Sequence, residues 1–318
     1  MTEVAATSAL PGRAEVMLAD RFELRVHRGA ALTGEDELAA FIGGAAGALT
    51  LLANPVSRTV LERCPQLKVV GNVAVGYDNV DVAAAAECGV WVTNTPDVLT
   101  EATADLAWAL VLAVTRRLGE AEEYLRSGRF RGWALDLLLG TGLQDKRIGI
   151  VGYGRIGRAV ARRAVASGME VACSDREPVA GADPPARQLP LDELLATSAV
   201  VSLHAPLDAS THHLLDERRL RLMPRGAVLV NTARGPLVDE AALVRVLESG
   251  HLGGAGLDVY EHEPEVHPGL LRRRDVVLLP HCGSATHETR AAMAELAAAN
   301  VIAVLEGREP PAPVVRGR

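Results

Sequence analysis

A strand, a glycine-rich turn and a helix follow one another at residues 148–167, and this stretch constrains the fold more than any other. Residues 148–151 form an apolar run typical of a buried parallel strand. Gly152, Gly154 and Gly157 follow in the G-x-G-x-x-G spacing, and apolar residues then recur every three or four positions, as on the buried face of a helix. Such glycines permit a tight turn, close approach of a pyrophosphate to the backbone, and close packing of helix on strand. The stretch therefore predicts a dinucleotide-binding domain.

Asp175 supports this interpretation because it stands at the end of the next apolar strand, residues 169–174. A carboxylate there can accept hydrogen bonds from an adenosine ribose. It would repel a 2′-phosphate, so we expect NAD(H) to be preferred. Arg176 could soften the preference, which leaves NADP(H) as an alternative. The competing interpretation of residues 152–157 is an ordinary glycine turn, which the flanking strand, helix and acid argue against.

Length and composition limit the class of protein. The chain has 318 residues, more than one typical core, so we expect two domains. The net charge of −7 argues against a nucleic-acid partner. The N-terminus shows no basic segment followed by an apolar run, so we expect no signal peptide. The longest uncharged apolar run, residues 106–115, is too short to cross a bilayer, so we expect no membrane partner. The cysteines, which show no C-x-x-C pair, predict reduced thiols, a cytoplasmic protein and no metal site; they are Cys64, Cys88, Cys173 and Cys282.

Short apolar runs alternate with helical patterns along the chain, which favours parallel α/β sheets. We expect residues 1–12 to be a loose tail. Strands are predicted at residues 16–18, 48–52, 67–70, 89–92, 147–151, 169–174, 199–203, 227–231, 254–258 and 276–279. Helices are predicted at residues 34–41, 56–63, 100–117, 158–167, 191–196, 216–223, 239–249 and 286–306.

The helix that starts near Thr100 carries apolar residues on more than one face, which indicates burial between domains or subunits. The next segment, residues 120–143, contains three aromatic side chains. It is either an arm that packs on a second subunit or a surface loop over its own chain.

Residues 72–81 join a predicted strand end to a helix start, where backbone N–H groups can hold an anion. An anion site and an ordinary turn around Gly76 and Asn79 are equally supported by these residues alone.

Polar residues follow the ends of the predicted strands in the second half of the chain. Ligands of open parallel sheets bind beyond the carboxyl ends of the strands, so these residues should meet at one sheet edge. Most of the residues that follow these strand ends are polar; the full set is His204, Pro206, Asn231, Thr232, Ala233, Arg234, Gly235, Asp258, Glu261, Glu263, His281, Gly283 and Ser284.

Three of these residues suit the reduction of a 2-oxo acid. Arg234 can bind a carboxylate in bidentate fashion and polarise the carbonyl. His281 can protonate the carbonyl oxygen while hydride reaches the carbon. Glu263 can orient His281 and favour its charged form. Each residue alone could instead be structural, since Arg234 could cap a strand end and Glu263 lies in an acid-rich turn.

With these motifs the chain resembles the D-isomer-specific 2-hydroxyacid dehydrogenases, from about Leu49 to Glu306. Residues 223–239, 256–264 and 279–286 carry the resemblance. Within that family the chain looks most like glyoxylate/hydroxypyruvate reductases. Two residues, Ala199 and Cys282, depart from the family pattern without removing a reacting group.

The resemblance implies an α/β fold of two doubly wound parallel-sheet domains with a cleft between them: a Rossmann cofactor domain and a smaller flavodoxin-like substrate domain. We expect residues 1–101 and 286–318 to form the substrate domain. Residues 102–285 would form the dinucleotide-binding domain, in which 102–143 supply a linking helix and a dimerisation arm, so a homodimer is implied.

The resemblance also implies roles for individual residues. Arg234, Glu263 and His281 would be catalytic, and Val75 and Gly76 would bind the substrate carboxylate with Arg234 and His281. The implied cofactor contacts are Gly152, Gly154, Arg155, Ile156, Gly157, Asp175, His204, Pro206, Thr232, Ala233, Asp258, Gly283 and Ser284, with Asp258 at the nicotinamide amide.

The predicted function is reduction of a glyoxylate- or hydroxypyruvate-type 2-oxo acid to the D-2-hydroxy acid. The alternatives are an NAD(H)-sensing binding protein on the same scaffold, or a dehydrogenase for another acid such as D-3-phosphoglycerate or D-lactate.

Overall fold

The computed structural model describes residues 1–179 and 181–317, which divide into two compact units. Unit 1 comprises Met1–Leu99 and Ser284–Arg318, and unit 2 comprises Thr100–Gly283. The glycine turn and the three candidate catalytic residues therefore all belong to unit 2.

Strands and helices alternate through both units. The strands are β1 Glu3–Ala6, β2 Glu23–Val26, β3 Gly47–Thr50, β4 Val69–Asn72, β5 Trp91–Thr93, β6 Arg147–Val151, β7 Glu170–Ser174, β8 Arg187–Gln188, β9 Val200–Leu203, β10 Val228–Asn231, β11 Gly254–Leu257, β12 Val276–Leu278 and β13 Pro313–Val315. The helices are α1 Ala14–Ala19, α2 Glu35–Ile42, α3 Arg58–Arg63, α4 Val82–Cys88, α5 Thr100–Thr115, α6 Leu118–Arg126, α7 Arg155–Ala166, α8 Leu191–Thr197, α9 Glu217–Leu222, α10 Glu240–Glu248, α11 Pro268–Leu271 and α12 His287–Leu305. No helix within these described ranges has the length and apolarity needed to cross a membrane.

Unit 1 is a flavodoxin-like sheet covered on both faces. Its strand order is β2-β1-β3-β4-β5, all parallel, which is the flavodoxin order, and β13 adds an antiparallel edge next to β5. Leu38, Val60 and Ala84 pack from α2, α3 and α4 into one core, whereas Leu18 and Ala297 pack from α1 and α12 into another. The expected parallel architecture is confirmed, with the antiparallel edge as an addition.

Unit 2 is a Rossmann sheet with helices on both faces. Its strand order is β8-β7-β6-β9-β10-β11-β12, and every pair is parallel. Leu195, Leu220 and Leu243 of α8, α9 and α10 pack into one core, and Leu110 and Val160 of α5 and α7 into the other. The strand order reverses between β6 and β9, which is the switch point where ligands of such sheets bind.

Two predictions for the N-terminus are wrong. Residues 1–12, expected as a loose tail, contain β1, which lies inside the sheet between β2 and β3 and buries Val4 and Ala6 completely. Residues 16–18, expected as a strand, lie in α1, where Ala14 and Leu18 occupy one buried face at a four-residue spacing. A three-residue apolar run does not distinguish the two structures, because it covers less than one helical turn.

The strands β2, β8 and β13 were not predicted, and all three lie at sheet edges. Their residues are exposed or only partly buried. An edge strand pairs with a neighbouring strand on one side only, so its residues need not be apolar. The sequence therefore gives little indication of such a strand.

Helix α5 buries Leu110, Val111 and Val114 within unit 2, where the helix packs against α7 and the strands β10 and β11. Leu112 of the same helix is 37% exposed. The segment that follows presents exposed apolar side chains, which we call the apolar arm: Leu118, Leu125, Phe130, Trp133, Leu135 and Leu139. Trp133 is 83% exposed and Leu135 is 81% exposed, so neither packs over its own chain.

Candidate active site

The glycine turn between β6 and α7 has the geometry of a phosphate-binding turn. Gly152 has a φ of +89°, and a Cβ there would lie 2.6 Å from the His204 carbonyl carbon. A Cβ on Gly157 would lie 2.2 Å from the Gly152 carbonyl oxygen. Gly154, which precedes the first turn of α7, is different, because a Cβ there would meet no atom within 4 Å. The fold itself requires Gly152 and Gly157, whereas Gly154 leaves open space in front of a helix N-terminus, as a close phosphate requires.

Asp175 lies at the end of β7, next to this turn. One carboxylate oxygen accepts a hydrogen bond from the Tyr153 N–H at 2.6 Å, and the other accepts one from the Glu177 N–H at 3.1 Å. Carboxylate oxygens can accept further bonds, so the group fits a ribose with free hydroxyls. The guanidinium of the adjacent Arg176 lies 2.8 Å from Asp208, and the hydrogen bonds from Ser210 and Arg176 lower the pKa of Asp208.

Two residues at neighbouring strand ends complete the candidate cofactor site. The Thr232 hydroxyl, just after β10, is buried and has no hydrogen-bond partner among the described residues. Such an orphaned group is expected where a ligand supplies the partner. His204, just after β9, lies 2.8 Å from the Ser202 hydroxyl, and burial lowers the pKa of His204 to about 4, so its imidazole is neutral near pH 7. The residues of this edge fit a dinucleotide.

Glu263 and His281 form a hydrogen-bonded pair. Their Oε2 and Nδ1 atoms are 2.8 Å apart, and the other Glu263 oxygen accepts a hydrogen bond from the Tyr260 N–H at 3.0 Å. Burial alone would raise the pKa of Glu263, but the hydrogen bond from His281, the Tyr260 N–H and the positive charge of Arg234 outweigh it and lower that pKa. Glu263 is therefore a carboxylate near pH 7. The His281 Nε2 atom has no hydrogen-bond partner in residues 1–179 and 181–317 and remains available for a substrate oxygen.

Asn231, the last residue of β10, shapes the turn that carries Arg234. Its side-chain amide donates to the Arg234 carbonyl at 2.8 Å and its oxygen accepts from the Ala233 N–H at 3.0 Å. The Arg234 guanidinium donates to the Ala233 carbonyl at 2.7 Å. From the sequence, Asn231 is predicted at this strand end without a role. Its role could have been inferred from one signal, a polar residue at the end of an otherwise apolar strand.

Asp258, at the end of β11, holds the backbone around His281. Its side chain is 1% exposed, and its two oxygens accept hydrogen bonds from the N–H groups of Cys282 and Gly283, both at 2.8 Å. The His281 N–H donates to the Asp258 carbonyl at 2.8 Å, and His281 has a φ of +51°. Asp258 thus stabilises a left-handed turn that few residues adopt.

The loop that contains Val75 and Gly76 belongs to unit 1, where asparagine side chains organise it. The amide of Asn94 donates to the Val75 carbonyl at 2.8 Å, and that of Asn72 donates to the Gly76 carbonyl at 2.9 Å. Asn79 bonds to Asn72 and to backbone carbonyls of residues 51 and 54. The N–H groups of Val75 and Gly76 meet no acceptor in the described part of the chain, which is the arrangement that an anion site needs.

The other predicted contact residues lie as follows. Arg155, Ile156 and Gly157 form the first turn of α7. Ala233 and Pro206 lie in the segments after β10 and β9, and Gly283 ends unit 2. Ser284 begins the second segment of unit 1.

A Rossmann sheet whose carboxyl edge carries a dinucleotide turn and an acid–base pair is typical of nicotinamide-dependent oxidoreductases. Comparison with known proteins agrees. The family model of the NAD binding domain of D-isomer specific 2-hydroxyacid dehydrogenases matches residues 108–283. The chain is 44% identical to the glyoxylate reductase of Thermococcus onnurineus over 320 residues, which cover 99% of this chain and 96% of the relative. It belongs to the D-isomer specific 2-hydroxyacid dehydrogenase family and is an NAD(P)-dependent oxidoreductase.

Solved structures share the whole fold. The TT0316 protein from Thermus thermophilus is 49% identical, with a TM-score of 0.94 over 99% of this chain and 100% of that one. The NADPH-dependent glyoxylate/hydroxypyruvate reductase from Sinorhizobium meliloti, in complex with NADP and malonate, is 35% identical, with a TM-score of 0.89 over 100% of this chain and 99% of that one.

Proposed function

We propose that the protein reduces a small 2-oxo acid of the glyoxylate or hydroxypyruvate type to the D-2-hydroxy acid, with NADH as the preferred reductant. The observation that carries the proposal is the 2.8 Å bond between Glu263 and His281 in the unit that also holds the dinucleotide turn. The names of the glyoxylate reductase relatives support the choice of substrate.

When bound beside the first turn of α7, NADH would supply the hydride, and the side chains of Arg234, His281 and Glu263 would bind and protonate the substrate. Arg234 binds the substrate carboxylate and polarises the carbonyl. His281 donates a proton from Nε2 to the carbonyl oxygen as the carbon is reduced. Glu263 holds Nδ1 of His281 and stabilises the imidazolium. We also propose that the N–H groups of Val75 and Gly76 bind a substrate carboxylate, because no acceptor for them lies in the described part of the chain.

The preference for NADH rests on Asp175 and on the pairing of Arg176. Asp175 would repel a 2′-phosphate, and Arg176 is already paired with Asp208 and Ser210. The Sinorhizobium meliloti relative was solved with NADP, so NADPH is a necessary arm of any test.

The proposed roles at the cofactor follow the strand ends. We propose that the first turn of α7, from Arg155, holds the pyrophosphate and that Thr232 and Ala233 lie along the nicotinamide ribose. His204, Pro206, Gly283 and Ser284 are proposed as further contacts. Asp258 is proposed to meet the nicotinamide amide while it holds the turn at His281.

The experiment is a substrate panel read by absorbance of the reduced cofactor at fixed pH. Glyoxylate, hydroxypyruvate, pyruvate, 3-phosphohydroxypyruvate and longer 2-oxo acids are each tested with NADH and with NADPH. We expect the highest kcat/KM with glyoxylate or hydroxypyruvate and NADH. A preference for pyruvate or the phosphorylated acid would assign another substrate, and NADH binding without turnover on any acid would favour a sensing protein.

We further propose that the apolar arm forms a homodimer interface, since its exposed side chains would otherwise remain in water. Light scattering should give twice the chain mass for the wild type and the chain mass for Trp133→Ser/Leu135→Ser. A monomeric wild type would refute the dimer.

The cysteines form no disulfide in the described part of the chain, which suits the proposed cytoplasmic location.

A further inference from the structure

Three residues beside the Glu263 turn have no part in the reaction proposed above. His213 lies between β9 and α9, Glu240 begins α10, and Glu261 precedes Glu263 by two positions. Glu240 is 6% exposed, and the Glu261 side chain is 16% exposed. Carboxylates are seldom this buried unless they are paired, so the burial of these two side chains needs an explanation. We call His213, Glu240 and Glu261 the Glu261 cluster.

The two glutamates hold each other's backbone. The Glu261 N–H donates to the Glu240 carboxylate at 2.8 Å, and the Glu240 N–H donates to the Glu261 carboxylate at 3.2 Å. The second Glu261 oxygen lies 2.6 Å from Nε2 of His213. Both oxygens of Glu261 therefore have a donor, and its side chain and backbone are fixed from different elements.

The Glu261 cluster reaches the Arg234 turn on one side. The His213 N–H donates to the Pro236 carbonyl at 2.7 Å, two residues after Arg234. Gly235 packs so closely on the Tyr260 backbone that a Cβ there would lie 1.9 Å from the Tyr260 carbonyl carbon. His213 thus connects two segments. Its backbone N–H binds the segment after Arg234, and its ring binds Glu261.

The cluster reaches the acid–base pair on the other side. Glu261 follows Tyr260, whose N–H holds one oxygen of Glu263 at 3.0 Å, and Glu263 holds His281. The Tyr260 hydroxyl donates to the Leu279 carbonyl at 2.7 Å, close in sequence to His281. A displacement of Glu261 would therefore reach Glu263 and His281 through the backbone.

We propose that Glu261, held by His213 and Glu240, is a positioning residue that fixes the spacing between Arg234 and the Glu263–His281 pair. The inference rests on the proposed function, in which Arg234 binds the carboxylate of the molecule that His281 protonates. Both groups must meet one small substrate, and misplacement by about 1 Å can cost about 100-fold in rate. Neither His213 nor Glu261 touches the reacting atoms in this assignment.

The first experiment removes and restores the His213 donor. His213→Leu loses the bond to Glu261, whereas His213→Gln offers an amide N–H at similar reach. We expect kcat to fall about tenfold in His213→Leu and to return to within about threefold of wild type in His213→Gln. The Kd for NADH should change less than about twofold in both, because the dinucleotide turn is elsewhere on the sheet. The matched control is Glu265→Ala, an exposed acid of the same turn, which should keep wild-type kcat.

The second experiment separates positioning from general stability. In a Glu263→Gln background, His213→Leu should lower kcat by a smaller factor than in the wild type, because the part of its effect that passes through Glu263 is already lost. An equal loss in both backgrounds, or unchanged kcat in His213→Leu and in Glu261→Ala, would overturn the proposal.

Amide hydrogen exchange tests the proposal independently of enzyme activity. The hydrogen-bonded amides of residues 237 and 238 and of residues 260 and 261 should lose protection in His213→Leu and regain it in His213→Gln. Unchanged protection in both segments would refute positioning by the Glu261 cluster. If the wild type reduces none of the acids, the proposed function fails, whereas the exchange result still reports on the cluster by itself.

Discussion

Adding one methyl group at Gly154 should weaken NADH binding without unfolding the protein. Gly154 has a φ of −72° and a ψ of −161°, which alanine adopts readily, and a Cβ there meets no atom within 4 Å. The cost to the fold is the poorer N-cap, about 1 kcal/mol or less, and so a shift in Tm of no more than about 4 °C.

The cost to binding is larger, because the methyl group occupies the space in front of α7 that the pyrophosphate needs. Losing one charge-assisted hydrogen bond to the backbone costs about 1.5–3 kcal/mol. The Kd for NADH should therefore rise roughly 10- to 150-fold. Quenching of tryptophan fluorescence by NADH measures Kd, and a thermal melt of the same sample measures Tm.

Two glycine variants serve as controls. Gly157→Ala places a Cβ 2.2 Å from the Gly152 carbonyl oxygen, so it should lose about 2 kcal/mol of stability or more together with binding. Gly119→Ala also adds its Cβ in open space, but in α6, and should leave both quantities near wild type. NADH binding as tight in Gly154→Ala as in wild type would refute the phosphate-binding role of this turn.

The ionisable groups of the site give further expected outcomes. Glu263→Gln should lower kcat at least about tenfold with an unchanged Kd for NADH, measured by stopped flow, because the charge that stabilises the imidazolium is gone. The lowered pKa of Glu263 means that its carboxylate stabilises the fold above the unfolded pKa near 4.5 and that this stability is lost as pH falls through the folded pKa, so denaturant titrations should show a smaller acid loss in Glu263→Gln. His204, with a folded pKa of about 4 against 6.5 unfolded, should make the fold less stable as pH falls from 6.5 to 4, and melts of His204→Gln should show a flatter profile. Asp175→Ser should raise the ratio of NADPH to NADH kcat/KM roughly tenfold or more, since like charges no longer oppose each other, and an unchanged ratio would exclude Asp175 as the determinant.

The central part of each sheet could be predicted from the sequence, because buried parallel strands read as continuous apolar runs. The strand before Gly152 and the helix after it are clear examples, and Thr286 caps α12 where the sequence indicated a helix start. The edge strand β8 spans Arg187–Gln188 and has no apolar residue, so no pattern could reveal it. The strand β1 was missed for another reason, since Val4 is the only large apolar residue among its four residues.

The pairing of Glu263 with His281 was predictable because both follow adjacent parallel strands, β11 and β12. The contact between His213 and Glu261 was not, since 48 residues separate them and His213 follows no predicted strand end. Likewise, no local pattern could indicate that Asp258 holds the N–H groups of residues 282 and 283. Such contacts depend on how loops fold over one another after the sheet has formed.

The left-handed backbone at His281 limits which residues can replace it. Asparagine and aspartate tolerate a φ of +51°, whereas valine, isoleucine and threonine do not. An inactive variant for trapping cofactor and substrate together should therefore be His281→Asn, which preserves the loop. A β-branched replacement would distort residues 282 and 283 as well, and its loss of turnover would no longer report on the missing imidazole alone.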